Sequence, residues 1–178
     1  MAQTSVSTNL VAAIAGALAD DGRDMNLATY VSQETTLQIP FGVAVMQGSL
    51  DYGDNLLTAG NVLNIVGVVA YSSAYQVGKE IGSVADSRSK LGILSNVLHN
   101  VVKRGRVWVT VEEAVTPASA VRVRCTTAGT GAGSFRTSSA GSGLSMLLVG
   151  ARYLDTAAIN GFARVEFDVL QRSSWTAD

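Results

Sequence analysis

The chain has 178 residues, the size of one domain, and at that length about 70% of the unfolded surface can be buried without staples. Thirteen basic residues against fourteen acidic ones leave a formal charge of −1, so no global field draws the chain to nucleic acid or to an anionic membrane. Cys125 is the only cysteine and His99 the only histidine, which excludes an internal disulfide and leaves too few ligands for a zinc site.

Hydrophobic residues make up 47% of the chain and charged residues 15%, against a usual charged share of about 25%. Apolar surface is therefore expected outside the core, as in an oligomer or a subunit of a larger assembly. The apolar run from Leu10 to Ala19 is about half the length a spanning helix needs. It ends in an A-x-A pattern at Ala17-Leu18-Ala19, but the first basic residue is Arg23. Neither a membrane span nor a secretory signal is expected.

Val6, Leu10, Ile14 and Leu18 recur every fourth residue and predict an apolar stripe on a short helix, capped by Thr8 or Asn9 and stopped at Gly22. Asp20 and Asp21 suit the negative end of such a helix poorly, so an extended arm is the other option. Residues 1–24 are read as an N-terminal arm and residues 25–178 as a single β-rich domain.

From Leu37 the period changes to two. Leu37, Ile39, Phe41, Val43 and Val45 share one face, and Pro40, which has no donor, places this strand at an edge or breaks it. Residues 61–71 are apolar on both faces and predict a strand covered on both sides. Arg106 to Glu112 directs Val107, Val109 and Val111 one way and Arg106, Trp108 and Thr110 the other. Val121, Val123 and Cys125 alternate similarly, and a hairpin with the preceding strand is expected through Thr116-Pro117-Ala118-Ser119. Residues 126–143 read as Gly/Ser-rich loops around one short strand. Met146 to Leu154 and Phe162 to Leu170 are two further strands. Short strands with little helix predict a mainly β fold, an antiparallel sandwich or barrel with a jelly roll among the options.

Catalytic chemistry is not visible. His99 has no spacing rule tying it to Ser95 or Asp86, and a structural role is expected. Gly129, Gly131 and Gly133 lack the following helix of a phosphate loop. Glu112 and Glu113 are adjacent, would face opposite sides of a strand and are read as solvated charges. Arg104, Arg106, Arg122 and Arg124, with Trp108 among them, are expected on one sheet face. Such a set can hold single strands of nucleic acid, but with a net charge near zero a charged outer sheet face or a protein interface is the better reading. The candidate interface is thus Val6, Leu10, Ile14, Leu18, Arg104, Arg106 and Trp108. No catalytic residue, cofactor or metal is assigned.

Four stretches in succession resemble the structural cement proteins of tailed bacteriophages: AGALADD at residues 15–21, IPFGVAVMQ at 39–47, VKRGRVWVTV at 102–111 with Val115 beyond it, and 133–169 with GSFRTSS, GARYLDTAA and GFARVEFDV. The resemblance implies a β-sandwich or barrel without enzymatic activity. It implies a protein made in the host cytoplasm that attaches to the outside of the assembled head, with the major capsid protein and further copies of itself, as dimer or trimer, for partners. Residues 82–96 are longer than that pattern leads one to expect. Other readings are a head-tail joining or tail-tube protein and, from another class, a carbohydrate-binding β-domain.

Overall fold

The computed structural model describes residues 14–19, 25–35, 38–56, 64–72, 92–125, 131–141, 144–169 and 176–177. In chain order its strands are β1 (Asn26–Ser32), β2 (Ile39–Pro40), β3 (Ala44–Gln47), β4 (Gly53–Leu56), β5 (Ile65–Val69), β6 (Gly92–Ile93), β7 (Leu98–Thr110), β8 (Arg122–Arg124), β9 (Phe135–Arg136), β10 (Ser145–Leu147), β11 (Arg152–Tyr153), β12 (Phe162–Asp168) and β13 (Thr176–Ala177). The main sheet runs β1-β4-β3-β5-β7-β12-β11, and β1 also pairs with β7. That second pairing closes the first five strands into a small barrel, from which β7, β12 and β11 extend. The four strands β13-β10-β8-β9 form a separate sheet, and β2 pairs with β6. Closed barrel and extended rim replace the jelly-roll option. The expected antiparallel order holds except at β1 and β4, which run parallel.

β7 builds both halves because it is long enough to change partners. Its first part pairs with β1 and with β5, and its second part, Arg104 to Thr110, pairs with β12. Asn26 lies opposite Arg104 and Leu27 opposite Val102, so Lys103 is an extra residue in a bulge. A bulge shifts the alternation of side chains. His99 and Val101 therefore face the barrel side, whereas Val107, Val109 and Val111 join a different core.

The barrel core contains Tyr30, Ile39, Phe41, Val45, Leu56, Val66, Val69, Ile93 and Val101. The other gathers Val107, Val109, Val111, Ala163, Val165 and Phe167 from β7 and β12 with Val121, Val123, Phe135 and Met146 from around the four-stranded sheet. β5 is buried along its whole length and feeds both cores, Ile65 and Val68 into one and Val66 and Val69 into the other. This is the doubly covered strand that its apolar run predicts.

Two sequence expectations are corrected, and a third is decided. The hairpin between residues 106–112 and 121–125 does not form: β8 pairs with β9 and β10, because both edges of β7 are already taken. Thr116 to Ser119 does form a turn, but it leads into the second sheet. Of the two outcomes expected at Pro40, an edge or a break, the strand breaks: it ends at Pro40 and Phe41-Gly42 turns before β3 resumes, with Ile39, Phe41 and Val45 in one core as their alternation predicts; Leu37 lies outside the described residues. The expected strand at Met146 to Leu154 is two, β10 and β11, separated by a turn at Val149-Gly150. Most of the unexpected stretch at 82–96 lies outside the described residues; its end supplies β6, which pairs with β2.

Candidate interaction surface

Val6 and Leu10 lie outside the described residues. Ile14 and Leu18 are described, and the segment that carries them is not helical: it turns at Ala15-Gly16 and then bridges β7 antiparallel, Leu18 opposite Val107. Gly16 N–H donates to Trp108 O (2.7 Å), Trp108 N–H to Ala17 O (2.9 Å), Ala19 N–H to Arg106 O (3.0 Å) and Tyr71 N–H to Gly16 O (2.8 Å). The segment thus lies between the second half of β7 and the chain beyond β5. Gly16 is required there. Its φ is +80°, and a Cβ would sit 2.7 Å from Val69 O and 2.9 Å from Gly42 N. Of the two options, helix or extended arm, residues 14–19 take the extended one, fixed by this main-chain pairing. Ile14 and Leu18 stay 46% and 44% exposed, so the segment is attached by its backbone and leaves its larger apolar side chains partly open.

The four arginines do not share one face. Arg104 and Arg106 stand on β7, while Arg122 and Arg124 belong to the other sheet. Along β7 and β12 each faces an acid: Arg104 Nε is 3.6 Å from Asp168, and Arg106 Nε is 3.3 Å from Glu166, which also accepts from Arg152 at 2.9 Å. Trp108 is half-buried under the Arg164 guanidinium, 5.5 Å from the ring centre, and Arg164 is held by Asp155 at 2.6 Å. Hydrogen bonding and charge from Arg152 and Arg106 outweigh burial and hold the Glu166 carboxyl below its ordinary range; Arg164 does the same for Asp155. This face is a lattice of paired charges around Trp108; Leu18, opposite Val107, lies on the other side of the sheet. Among the described residues the face's four guanidiniums meet three carboxylates, Glu166 serving two of them, and the one charge left over is small beside the run of free cations that a phosphate backbone needs.

Glu112 and Glu113 are not solvated charges, and they do not diverge. Both reach Arg136, which is 8% exposed: Glu113 Oε1 at 2.6 Å and Glu112 Oε2 at 3.6 Å, with Arg124 at 3.0 Å from Glu112. The chain leaves the strand at this point, so strand alternation no longer separates them. Burial pushes Glu113 up, but donors from the Ser138 side chain, the Ser138 and Thr137 amides and the Arg136 charge pull it down to about 2. Glu112 goes the other way, raised by burial that Arg124 and Arg136 only partly offset. Tyr153 donates to Arg136 O at 2.8 Å, and its hydroxyl is pushed up by burial and by the two carboxylates. The group ties β9 and β11 to the end of β7.

His99 is buried, and its ring meets Asp54 and Val97 rather than Ser95; Asp86 lies outside the described residues. Nε2 lies 2.9 Å from Asp54 Oδ2, Nδ1 lies 3.3 Å from Val97 O, and both side chains are buried. Ser32, also buried, lies opposite Asp54 in the β1–β4 register. Ser, His and Asp therefore meet at the barrel, yet both His99 nitrogens are engaged and no side chain of the three reaches the surface. A triad needs a free imidazole nitrogen on the nucleophile and access for substrate. Sequence reading missed this trio because forty-five residues separate Asp54 from His99.

A family model described as structural cement protein (E217 gp24/Pam3 gp6), a phage family, matches residues 2–168. Five solved chains match; one, from the capsid of Myoviridae Phage XM1, superposes with a TM-score of 0.65 over 93% of this chain and 96% of that one at 18% identity. At that identity the likeness speaks for the fold. Among curated proteins nothing matches.

Proposed function

The chain belongs to the phage structural cement family, and from that premise we propose that it binds the outer surface of an assembled head and ties neighbouring major capsid subunits together without catalysing a reaction. Its role is that of a capsid-stabilising structural protein, and the match over residues 2–168 is the observation that carries it. The surface beside β7 supports the finer reading. Half-buried Trp108 sits within a face whose arginines are each held by an acid, and Ile14 and Leu18 on the neighbouring segment are nearly half exposed. A tryptophan set among arginines that are held in place by acids is the composition of a protein interface.

A protein that binds the assembled lattice and not its free subunits stabilises the lattice by mass action, by about 2.7 kcal/mol per site at a hundred times its Kd. Rigid interfaces suffice for that. Cryo-EM of heads with the protein added tests the reading: density of this fold on the outer surface, bridging capsid subunits, is expected. Density confined to the portal, the tail or the interior overturns it.

A further inference from the structure

The segment at residues 14–19 is the only link between the N-terminal arm and the domain among the described residues, and it is made by main chain. Its four hydrogen bonds and the close approach of Gly16 to Gly42 involve no side chain of its own. The apolar side chains Ile14 and Leu18 remain nearly half exposed. An element held by backbone bonds with little apolar burial lies at the low end of local stability.

The slot that receives it is built to fit that segment. Arg106 and Trp108 offer the edge of β7, Tyr71 N–H donates from the other side, and Gly42 leaves room for Gly16. The same segment from another molecule makes the same bonds at no loss in fit, and such like-for-like exchange is a low-cost route to an oligomer. Which copy fills the slot is then decided by effective concentration.

The connection is compatible with exchange. Leu18 lies opposite Val107 and Asn26 opposite Arg104, so the segment and β1 lie end to end along one edge of β7. Between these pairs β7 advances by three residues and the chain by eight. The slack, pulled straight, reaches about 20 Å.

We propose that residues 14–19 are an exchangeable strand, and that the slot formed by β7, Tyr71 and Gly42 takes this segment from a second copy of the chain when copies are held side by side. Its use as a tie between neighbouring copies on a head rests on the cement reading; the exchange itself does not, and is tested without heads.

Leu18 and Val107 form a non-hydrogen-bonded antiparallel pair, flanked by the Ala17–Trp108 and Ala19–Arg106 bonds. Such pairs bring Cα atoms to about 4.5 Å, within the span of a disulfide. The full-length chain with Cys125→Ala is made in three forms: Leu18→Cys, Val107→Cys, and both together. Oxidised alone, the double variant is expected to close within the monomer. The two single variants, mixed at high concentration and oxidised, are expected to give a dimer joined between positions 18 and 107, twice the monomer mass and absent when either is oxidised alone.

A double variant that closes while the mixture stays monomeric overturns the proposal. So does a double variant that folds but does not close, since the pairing itself is then wrong. Should Val107→Cys not fold, hydrogen exchange on the wild-type chain decides. The amides of Trp108 and Tyr71, whose acceptors lie on the segment, are expected to exchange at least tenfold faster than those of β7 bonded to β12. Exchange of all of them together, only on global unfolding, overturns it.

Discussion

Arg136 is where single side chains carry most. It is 8% exposed, anchored to Ser138 O and bound to Glu113 at 2.6 Å. Removing one partner of such a pair leaves the other's charge poorly solvated, and Arg136→Met is expected to cost about 3–5 kcal/mol, read by urea denaturation. The two glutamates give this site opposite pH responses. Glu113, held at about 2 from 4.5, contributes stability that is complete above its unfolded value and is lost as pH falls from 4.5 towards 2. Glu112, raised by burial, contributes stability that is complete below 4.5 and is lost as pH rises through its folded value. Glu113→Gln is accordingly expected to be less stable at pH 7 and to lose much of the acid limb between pH 4.5 and 2. An unchanged acid limb in thermal melts would remove Glu113 from that role. None of this is legible in sequence. Adjacent glutamates in an ideal strand diverge; only the departure of the chain from β7 after Val111 lets them converge.

At the scale of elements, alternation foretold burial and failed to foretell partners. Val107, Val109 and Val111 are fully buried, as are Val121, Val123 and Ala163 and Val165, because a period of two fixes which face is apolar whatever strand lies alongside. Pairing is decided by which edges remain open, and the edges of β7 go to β12, β1, β5 and the segment at 14–19. The expected hairpin was local in sequence and lost to these long-range pairings. Val109→Ala is expected to cost about 1–3 kcal/mol through lost burial and a residual cavity, lowering the melting temperature by roughly 2–4 °C per kcal/mol. The N-terminal stripe, open between helix and extended arm, is decided for a related reason. Its four-residue spacing is real, but Gly16 sits at positive φ against Gly42, where a helix cannot pass. Gly16→Val is therefore expected to release the segment without unfolding the barrel. Calorimetry should show a core transition within a few degrees of wild type, and hydrogen exchange should show lost protection at Trp108 and Tyr71; a chain that no longer folds makes the segment part of the core.

For the molecule as a whole, the barrel and the two core clusters supply rigidity, and the outer face of β7 and β12 supplies a surface with its charges already paired. Pairing them in the free protein means that docking does not strand a lone cation or anion, the costly outcome when charge is buried. It also predicts weak dependence on salt, since few unneutralised charges remain to be screened. If the protein stabilises heads through this face, the temperature at which purified heads rupture rises with added protein and levels off at saturation, because only the assembled lattice gains. That gain should persist with little loss from 50 to 300 mM salt. Trp108→Ala separates the surface from the fold: half-buried and stacked by Arg164, the ring is expected to contribute about 1 kcal/mol or less to folding through that contact. As an interface anchor it is expected to contribute 2 kcal/mol or more to binding. The variant should then melt within a few degrees of wild type and need more than tenfold higher concentration to protect heads. Full protection by a folded Trp108→Ala chain at the wild-type concentration moves the binding surface away from β7.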